Sequence, residues 1–325
     1  MYFHILILTT MNNHPIATIL GGGGFIGRYL VRNLSKSNYR VFIPTRKPYL
    51  KGYLKTQSTP GAVELFEFNL KNYYKLEEAI SNSDVVINLI GILYETRKQK
   101  FEKIHVDIPE FISNLCKKHG VKKFIHLSAI GANPNSKSIY QTTKFKGEQA
   151  ALANFDQTVI IRPSVVCGAE DNFTNLFSKL SFSPIIPLVG INYKFQPILV
   201  TDVVDAIMNS IKVNQNNGKI YEIGGPKIIS FGEMVKSIMS VIEKKRMVIE
   251  MPMSLAKIQS SILNLLPIPP ILTKDQCEIL SESDNVVSNN HLNCDDLNIK
   301  PLDVEKAMKK WLWRFREGGQ FAKVK

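Results

Sequence analysis

Cysteine is scarce in this 325-residue chain. There are four, Cys116, Cys167, Cys277 and Cys294, and no two stand as C-x-x-C. That gives no support to a zinc ribbon, a thioredoxin-type site or a disulfide scaffold, and a reducing compartment is the default. No apolar run reaches the roughly 18 residues that a membrane-spanning helix needs. No H-E-x-x-H, G-x-S-x-G or phosphate-loop lysine motif occurs, and His105, His119 and His126 are not arranged as metal ligands, so no metal is expected. Acidic residues are in deficit, 28 against 41 Lys and Arg, leaving a formal net charge of +13. A basic surface suits anionic partners such as a phosphorylated cofactor or acidic lipid. No helix-turn-helix, zinc-finger or RNA-binding signature accompanies it, and nucleic acid is not expected as a partner.

What is present is an ordinary globular composition, 44% hydrophobic and 21% charged. The apolar opening, residues 1–10, is short and has no basic region before it. It reads poorly as a signal peptide and better as a dispensable extension ahead of Met11. From Pro15 the chain alternates strand-like apolar runs (Pro15–Leu20, Arg40–Pro44, Val63–Phe68, Asp84–Gly91, Lys123–Ser128, Thr158–Pro163) with helical patterns. Alternation of this kind predicts an α/β fold with a doubly wound parallel sheet over residues 11–164. After about residue 165 the rhythm loosens and proline becomes frequent. Residues 165–325 are expected to form a smaller C-terminal lobe, some of whose segments return to the sheet.

The strongest local signal is Leu20-Gly-Gly-Gly-Gly-Phe-Ile-Gly-Arg. Gly21, Gly24 and Gly27 form G-x-x-G-x-x-G between a strand and a helix. They serve a tight turn, backbone approach to a pyrophosphate, and close helix–strand packing, and the helix N-terminus offers free N–H groups to the phosphates. A dinucleotide site is therefore expected here. NAD-binding folds place an acid at the end of the second strand for the ribose 2′-OH. This chain has Thr45-Arg46-Lys47 instead, so Arg46, with Lys47, is assigned to a 2′-phosphate, and NADP(H) is favoured over NAD(H). Further on, Tyr140-Gln-Thr-Thr-Lys144 sets a phenol and an ammonium on one helix face. A nearby cation favours phenolate, so Tyr140 is expected to have a lowered pKa and to act as acid or base, with Lys144 also binding the nicotinamide ribose.

These residues resemble the extended branch of the short-chain dehydrogenase/reductases. Val85-Val-Ile-Asn-Leu-Ile-Gly, Tyr94-Glu-Thr, Lys123-Phe-Ile-His-Leu-Ser-Ala-Ile-Gly-Ala, Tyr140–Glu148, Gln196-Pro-Ile-Leu-Val-Thr-Asp-Val-Val and Trp311-Leu-Trp-Arg-Phe-Arg are similar to one atypical family. That family contains the NADPH-binding accessory subunit of respiratory complex I and its bacterial relatives. The resemblance runs from about residue 14 to about residue 321. It implies that Gly21, Gly24, Phe25, Ile26 and Gly27 hold the pyrophosphate, that Arg46 meets the 2′-phosphate, and that Asn69 and Leu70 lie beside the adenine. It places Leu89, Ile90 and Gly91 along the cofactor, Pro163 near the nicotinamide, and Tyr140 and Lys144 as the catalytic pair. One departure stands out. Active members carry Ser or Thr where this chain aligns Ala129, and Ser128 substitutes only if the strand end shifts by one residue. Losing such a donor costs on the order of a hundredfold in rate.

Two segments suit a membrane or a partner surface: the apolar stretch 251–272, and the tail Lys306–Arg316, where Trp311, Trp313 and Phe315 mix with basic residues. The first functional reading is an NADP(H)-binding, atypical short-chain dehydrogenase/reductase-like protein. Its role is structural, assembly-related or redox-sensing, with respiratory-chain subunits or an anionic membrane surface as partners. It is placed in the cytoplasm or peripherally on the inner membrane face. The second is a working NADP-dependent oxidoreductase or epimerase, linked by resemblance to quinone synthesis. The third is a cofactor-sensing regulator without catalysis.

Overall fold

The computed structural model describes residues 14–68, 73–213, 215–256 and 272–321. Residues 1–10, Asn69, Leu70 and most of the 251–272 stretch lie outside them.

The strands form where the apolar runs stand, each followed by a helix or loop that carries the chain back across the sheet. The first half reads β1 (Ile16–Leu20), α1 (Phe25–Lys36), β2 (Arg40–Thr45), β3 (Val63–Glu67), α2 (Tyr74–Ser81), β4 (Val85–Asn88), α3 (Ile108–His119), β5 (Lys123–Leu127), α4 (Ile139–Asn154) and β6 (Thr158–Pro163). The second half adds β7 (Val166–Cys167), α5 (Phe173–Leu180), β8 (Ile185–Leu188), β9 (Lys194–Phe195), β10 (Ile198–Leu199), α6 (Val200–Lys212), β11 (Ile220–Ile223), β12 (Ile229–Ser230), α7 (Phe231–Val241), β13 (Met247–Glu250) and α8 (Lys274–Glu282). Seven strands make the main sheet in the order β11-β6-β5-β4-β1-β2-β3, all parallel. The second half thus supplies one strand of that sheet.

Every residue of β4, β5 and β6 is buried, as a parallel sheet covered on both faces requires. Alternation sorts the side chains. Ile125, Val159 and Ile161 meet Leu30 and Val31 of α1 and Val203 and Ile207 of α6 on one face. Phe124 and Val86 meet Leu76 and Ile80 of α2 and Ile112 and Leu115 of α3 on the other. From β1 the chain winds outward through β2 and β3, then crosses back to β4 on β1's other side. This reversal opens a crevice at the carboxyl ends of β1 and β4.

A separate core holds the smaller lobe, where Phe173, Phe177, Phe195 and Phe231 pack with ring centroids 5.3 to 5.8 Å apart. The tail belongs to it. Met308 and Leu312 are buried there, and Trp311 and Phe315 pack against the same cluster. Trp311 Nε1 donates to Thr174 Oγ1 at 3.2 Å. The tail's aromatic residues are mostly turned inward, because the lobe's core needs them. Trp313 alone of the three stays 38% exposed.

Candidate functional site

The chain leaves β1 at Gly21, whose φ of +82° is left-handed. A Cβ there would stand 3.1 Å from the carbonyl carbon of Leu89. Gly24 N–H donates to the Gly21 carbonyl at 2.9 Å and closes the turn. A Cβ at Gly27 would lie 2.4 Å from the Gly21 oxygen and 2.6 Å from Gly22 Cα, so α1 rests directly on the backbone of the loop. The first turn of α1 has no acidic side chain and no side-chain cap. Its N–H groups at Phe25 and Ile26 therefore have no acceptor within the helix and suit an anion.

Arg46 and Lys47 follow β2 directly and are exposed. Two residues beyond them were not singled out in the sequence. Lys51 Nζ donates to the Gly23 carbonyl at 3.0 Å, and Tyr53 donates to the same oxygen at 3.3 Å. The Arg28 guanidinium lies 5.5 Å from the Tyr53 ring centroid. The cationic run 46–55 was visible in the sequence, but nothing there marked which member folds back onto the loop.

Tyr140 and Lys144 lie one turn apart on α4, over the ends of β4 and β5. Lys144 is buried, and its Nζ donates to the Leu127 carbonyl at 3.1 Å. Burial brings its pKa down to about 8, against the opposing pull of Glu148. A Cβ on Gly91 would be 3.3 Å from that Nζ, so the turn after β4 and the lysine are in contact. The expected lowering of the Tyr140 pKa is not found. Burial, helped by the negative charge of Asp275, pushes the phenol up to about 12. The ring packs edge-on against His105 and Phe101 at 5.3 and 5.9 Å.

A buried polar cluster underlies the pair. His105 Nε2 accepts from Ile92 N–H at 3.2 Å, and its Nδ1 meets Thr143 Oγ1 at 3.1 Å. The Thr143 hydroxyl donates to the Ile139 carbonyl at 2.7 Å, so Nδ1 carries the proton and the ring is neutral. Burial and the Lys144 charge bring its pKa down to about 3. Asn88 Nδ2 donates to His126 Nδ1 at 3.1 Å, and Asn88 Oδ1 accepts from Ile90 N–H at 3.1 Å. His126 then bears its proton on Nε2, which is buried without a partner among the described residues, as is Ser128 Oγ. Ser128 and Ile130 donate in regular register to Ile161 and Pro163, at 2.8 and 3.1 Å. These bonds place Ser128 and Ala129 side by side just after β5. Pro163 ends β6 and is buried.

Two carboxylates hold α4 in position. Arg162 on β6 binds fully buried Glu148 through two bonds of 2.9 and 2.6 Å, and reaches Glu222 of β11 at 3.2 Å. Asp275 of α8 accepts from Ser138 Oγ at 2.9 Å, Ile139 N–H at 2.6 Å and Tyr140 N–H at 3.3 Å. It caps the start of the helix that carries the tyrosine. Thr273-x-x-Gln276 forms a capping box at the start of α8, a local pattern that is present in the sequence.

The family model for the NAD dependent epimerase/dehydratase family matches residues 17–224. The mitochondrial NADH-ubiquinone oxidoreductase 40 kDa subunit of Neurospora crassa is 32% identical over 305 residues, 94% of this chain and 80% of that protein. The mitochondrial NADH dehydrogenase [ubiquinone] 1 alpha subcomplex subunit 9 of Mus musculus is 32% identical over 293 residues, 89% of this chain and 78% of that protein. Among solved structures, a UDP-glucuronic acid 4-epimerase from Bacillus cereus, in complex with UDP-glucuronic acid and NAD, aligns with a TM-score of 0.63 over 91% of this chain and 98% of its own. At 18% identity that likeness speaks for the fold alone. With its glycine cradle, sheet order and these relatives, the chain belongs to the NAD dependent epimerase/dehydratase family and is related to the alpha-subcomplex-9 subunits of complex I.

Proposed function

We propose that the chain binds NADP(H) in the crevice above β1 and β4 and acts beside respiratory-chain subunits, in a structural, assembly or redox-sensing role. The observation that carries this is the Gly21–Gly27 cradle. Backbone contact excludes a side chain at Gly27, the left-handed φ of Gly21 strains one there, and the loop sits under a helix start without acidic residues. These features fit a pyrophosphate held by backbone N–H groups. Arg46 and Lys47 would take the 2′-phosphate, for no acid follows β2 to bind a free ribose hydroxyl. Leu89, Ile90, Gly91 and Pro163 would line the cofactor, and Lys144 would hold the nicotinamide ribose. Asn69 and Leu70 keep the adenine-side role that the resemblance gives them. When bound, the nicotinamide supplies hydride chemistry.

The respiratory-chain role draws on relatives that are mitochondrial complex I subunits. Among the described residues no helix is long and apolar enough to cross a membrane, which agrees with a peripheral place on the inner membrane face. Mass analysis of the ligand released from purified protein tests the cofactor assignment. NADP(H) is expected, and protein that neither carries nor binds a nicotinamide nucleotide would overturn it. Recovery of respiratory-chain subunits with tagged protein tests the partner assignment.

A second reading, an active oxidoreductase or epimerase, draws on one observation: the buried hydroxyl of Ser128 has no partner among the described residues and follows Leu127, whose carbonyl accepts from Lys144. In that reading Tyr140 exchanges the proton and Ser128 steadies the substrate oxygen. NADPH oxidation with a panel of carbonyl and sugar-nucleotide substrates, lost in Tyr140→Phe, is its signature. No oxidation across the panel counts against it.

A further inference from the structure

The smaller lobe carries an apolar surface that the nucleotide site does not use. β8 and β13 pair in parallel, with Met247 opposite Ile185 and Ile249 opposite Pro187. Alternation sends Ile186 and Leu188 into the lobe's core, 1% and 3% exposed, and turns the four paired residues outward. Met247 is 63% exposed, Ile185 45% and Ile249 41%, while Phe182, in the turn from α5, is 81% exposed. Scattered apolar residues on a surface need no explanation, but a contiguous set does.

The set is held together. Met247 N–H donates to the Pro184 carbonyl at 3.0 Å. Arg246 Nε donates to the Ser181 carbonyl at 2.6 Å, and Lys244 Nζ to Ser181 Oγ at 3.2 Å. These bonds fasten the Phe182 turn to the start of β13 and place two cations beside it. Lys179 and Lys245, both exposed, flank the same turn. Among the described residues none of the four is ion-paired. The adjacent Glu243 is engaged by Arg316 at 3.2 Å, and Glu250 stands at the far end of β13.

We propose that this ribbon is a docking surface for an anionic phospholipid interface. Phe182 and Met247 enter the headgroup–acyl boundary, and Lys179, Lys244, Lys245 and Arg246 meet lipid phosphates. Phe182, 81% exposed, protrudes beside Lys179, Lys244, Lys245 and Arg246, a cationic rim whose charge complements lipid phosphates. A fluid, negatively charged plane asks only for protruding apolar groups rimmed by cations. The surface lies neither in the tail nor in the 251–272 stretch, and it does not depend on nucleotide binding.

Flotation with vesicles of phosphatidylcholine plus phosphatidylglycerol, against phosphatidylcholine alone, tests the proposal in the full chain. The protein should float with the anionic vesicles only and be released by high salt. Phe182→Asp with Met247→Asp should weaken binding by about tenfold or more, with thermal unfolding and nucleotide binding unchanged, since both residues are exposed. A Phe182→Trp protein should gain blue-shifted emission on anionic vesicles that the wild type, with its tryptophans in the tail, does not. Protein that stays at the bottom of the gradient overturns the proposal. So does equal flotation of the double variant, or flotation without a change in Phe182→Trp emission. Capture of respiratory subunits through this face without vesicle binding would assign it to a protein partner instead.

Discussion

Replacing Gly27 by Ala puts a methyl group 2.4 Å from the Gly21 oxygen and 2.6 Å from Gly22 Cα. Ordinary contact begins near 3.4 Å, so the start of α1 must move about 1 Å away from the loop, because both obstacles are backbone and close-packed interiors yield little. Overpacking of this kind costs about 1–3 kcal/mol of stability. The same shift would withdraw the first-turn N–H groups from the place proposed for the pyrophosphate. Charge-assisted hydrogen bonds are each worth about 1.5–3 kcal/mol, so NADPH affinity should fall about a hundredfold or more. Gly23→Ala is the control. Its Cβ would meet Lys51 Cδ at 2.9 Å, part of a flexible chain that can swing aside, and affinity should stay within about threefold. Nucleotide fluorescence titration, with thermal unfolding in the absence of nucleotide, reads both effects. A Gly27→Ala protein with wild-type affinity and stability would refute the argument, as would a Gly23→Ala protein damaged to the same degree.

Arg46→Ala should weaken NADPH much more than NADH, and equal loss in a paired titration would remove the phosphate-clamp assignment. Lys144 has its folded pKa lowered from 10.5 to about 8 by burial. The unfolded chain then binds more protons between those pH values, and stability contributed by this group rises with pH across that window, by about 3 kcal/mol in all. Urea unfolding of wild type and Lys144→Met at pH 8 and pH 10 should show the rise in the wild type only. Glu148→Ala leaves the buried Arg162 guanidinium with Glu222 as its one remaining carboxylate, beside His291, and should cost about 3 kcal/mol or more, read as a lower denaturation midpoint. Asp275→Asn removes a negative charge from the start of α4. The Tyr140 phenol should then titrate below its wild-type pKa in ultraviolet difference spectra, and an unchanged titration would dismiss Asp275 as its cause.

The parts of this molecule that depend on neighbours in sequence were legible in it. The G-x-x-G-x-x-G run sits at a strand–helix junction because tight turning and close packing are local demands, and the alternation of apolar runs specified a parallel sheet covered on both faces. Tyr140 and Lys144 share a helix face because four residues make about one turn. What escaped notice is long-range. Lys51 and Tyr53 reach Gly23 across 28 and 30 residues, and Asp275 reaches Ile139 across 136. The phenol's raised pKa was misjudged for the same reason. Spacing on a helix gives a face, but it does not say that Lys144 turns to the Leu127 carbonyl while a carboxylate from α8 approaches the tyrosine. The tail illustrates the converse, since aromatics beside cations looked like an interface until the lobe's core claimed Trp311 and Phe315.

The two halves of the crevice are built to different standards. On the phosphate side, glycines pack against backbone, a helix start is left free of acids, and cations stand around the loop, all of which favours tight holding of a dinucleotide. Around Tyr140, the Lys144 ammonium gives one of its hydrogen bonds to a main-chain carbonyl, and burial with Asp275 pushes the Tyr140 phenol up to about 12. A general acid–base group works best with a pKa near the working pH, and a phenol near 12 is poorly matched to that task. Nucleotide held in the cradle as proposed would stabilise the fold whenever nucleotide is abundant. Such an asymmetry favours the resident-cofactor reading proposed above over rapid turnover. It makes nucleotide-dependent stability, more than product formation, the property by which this protein should first be measured.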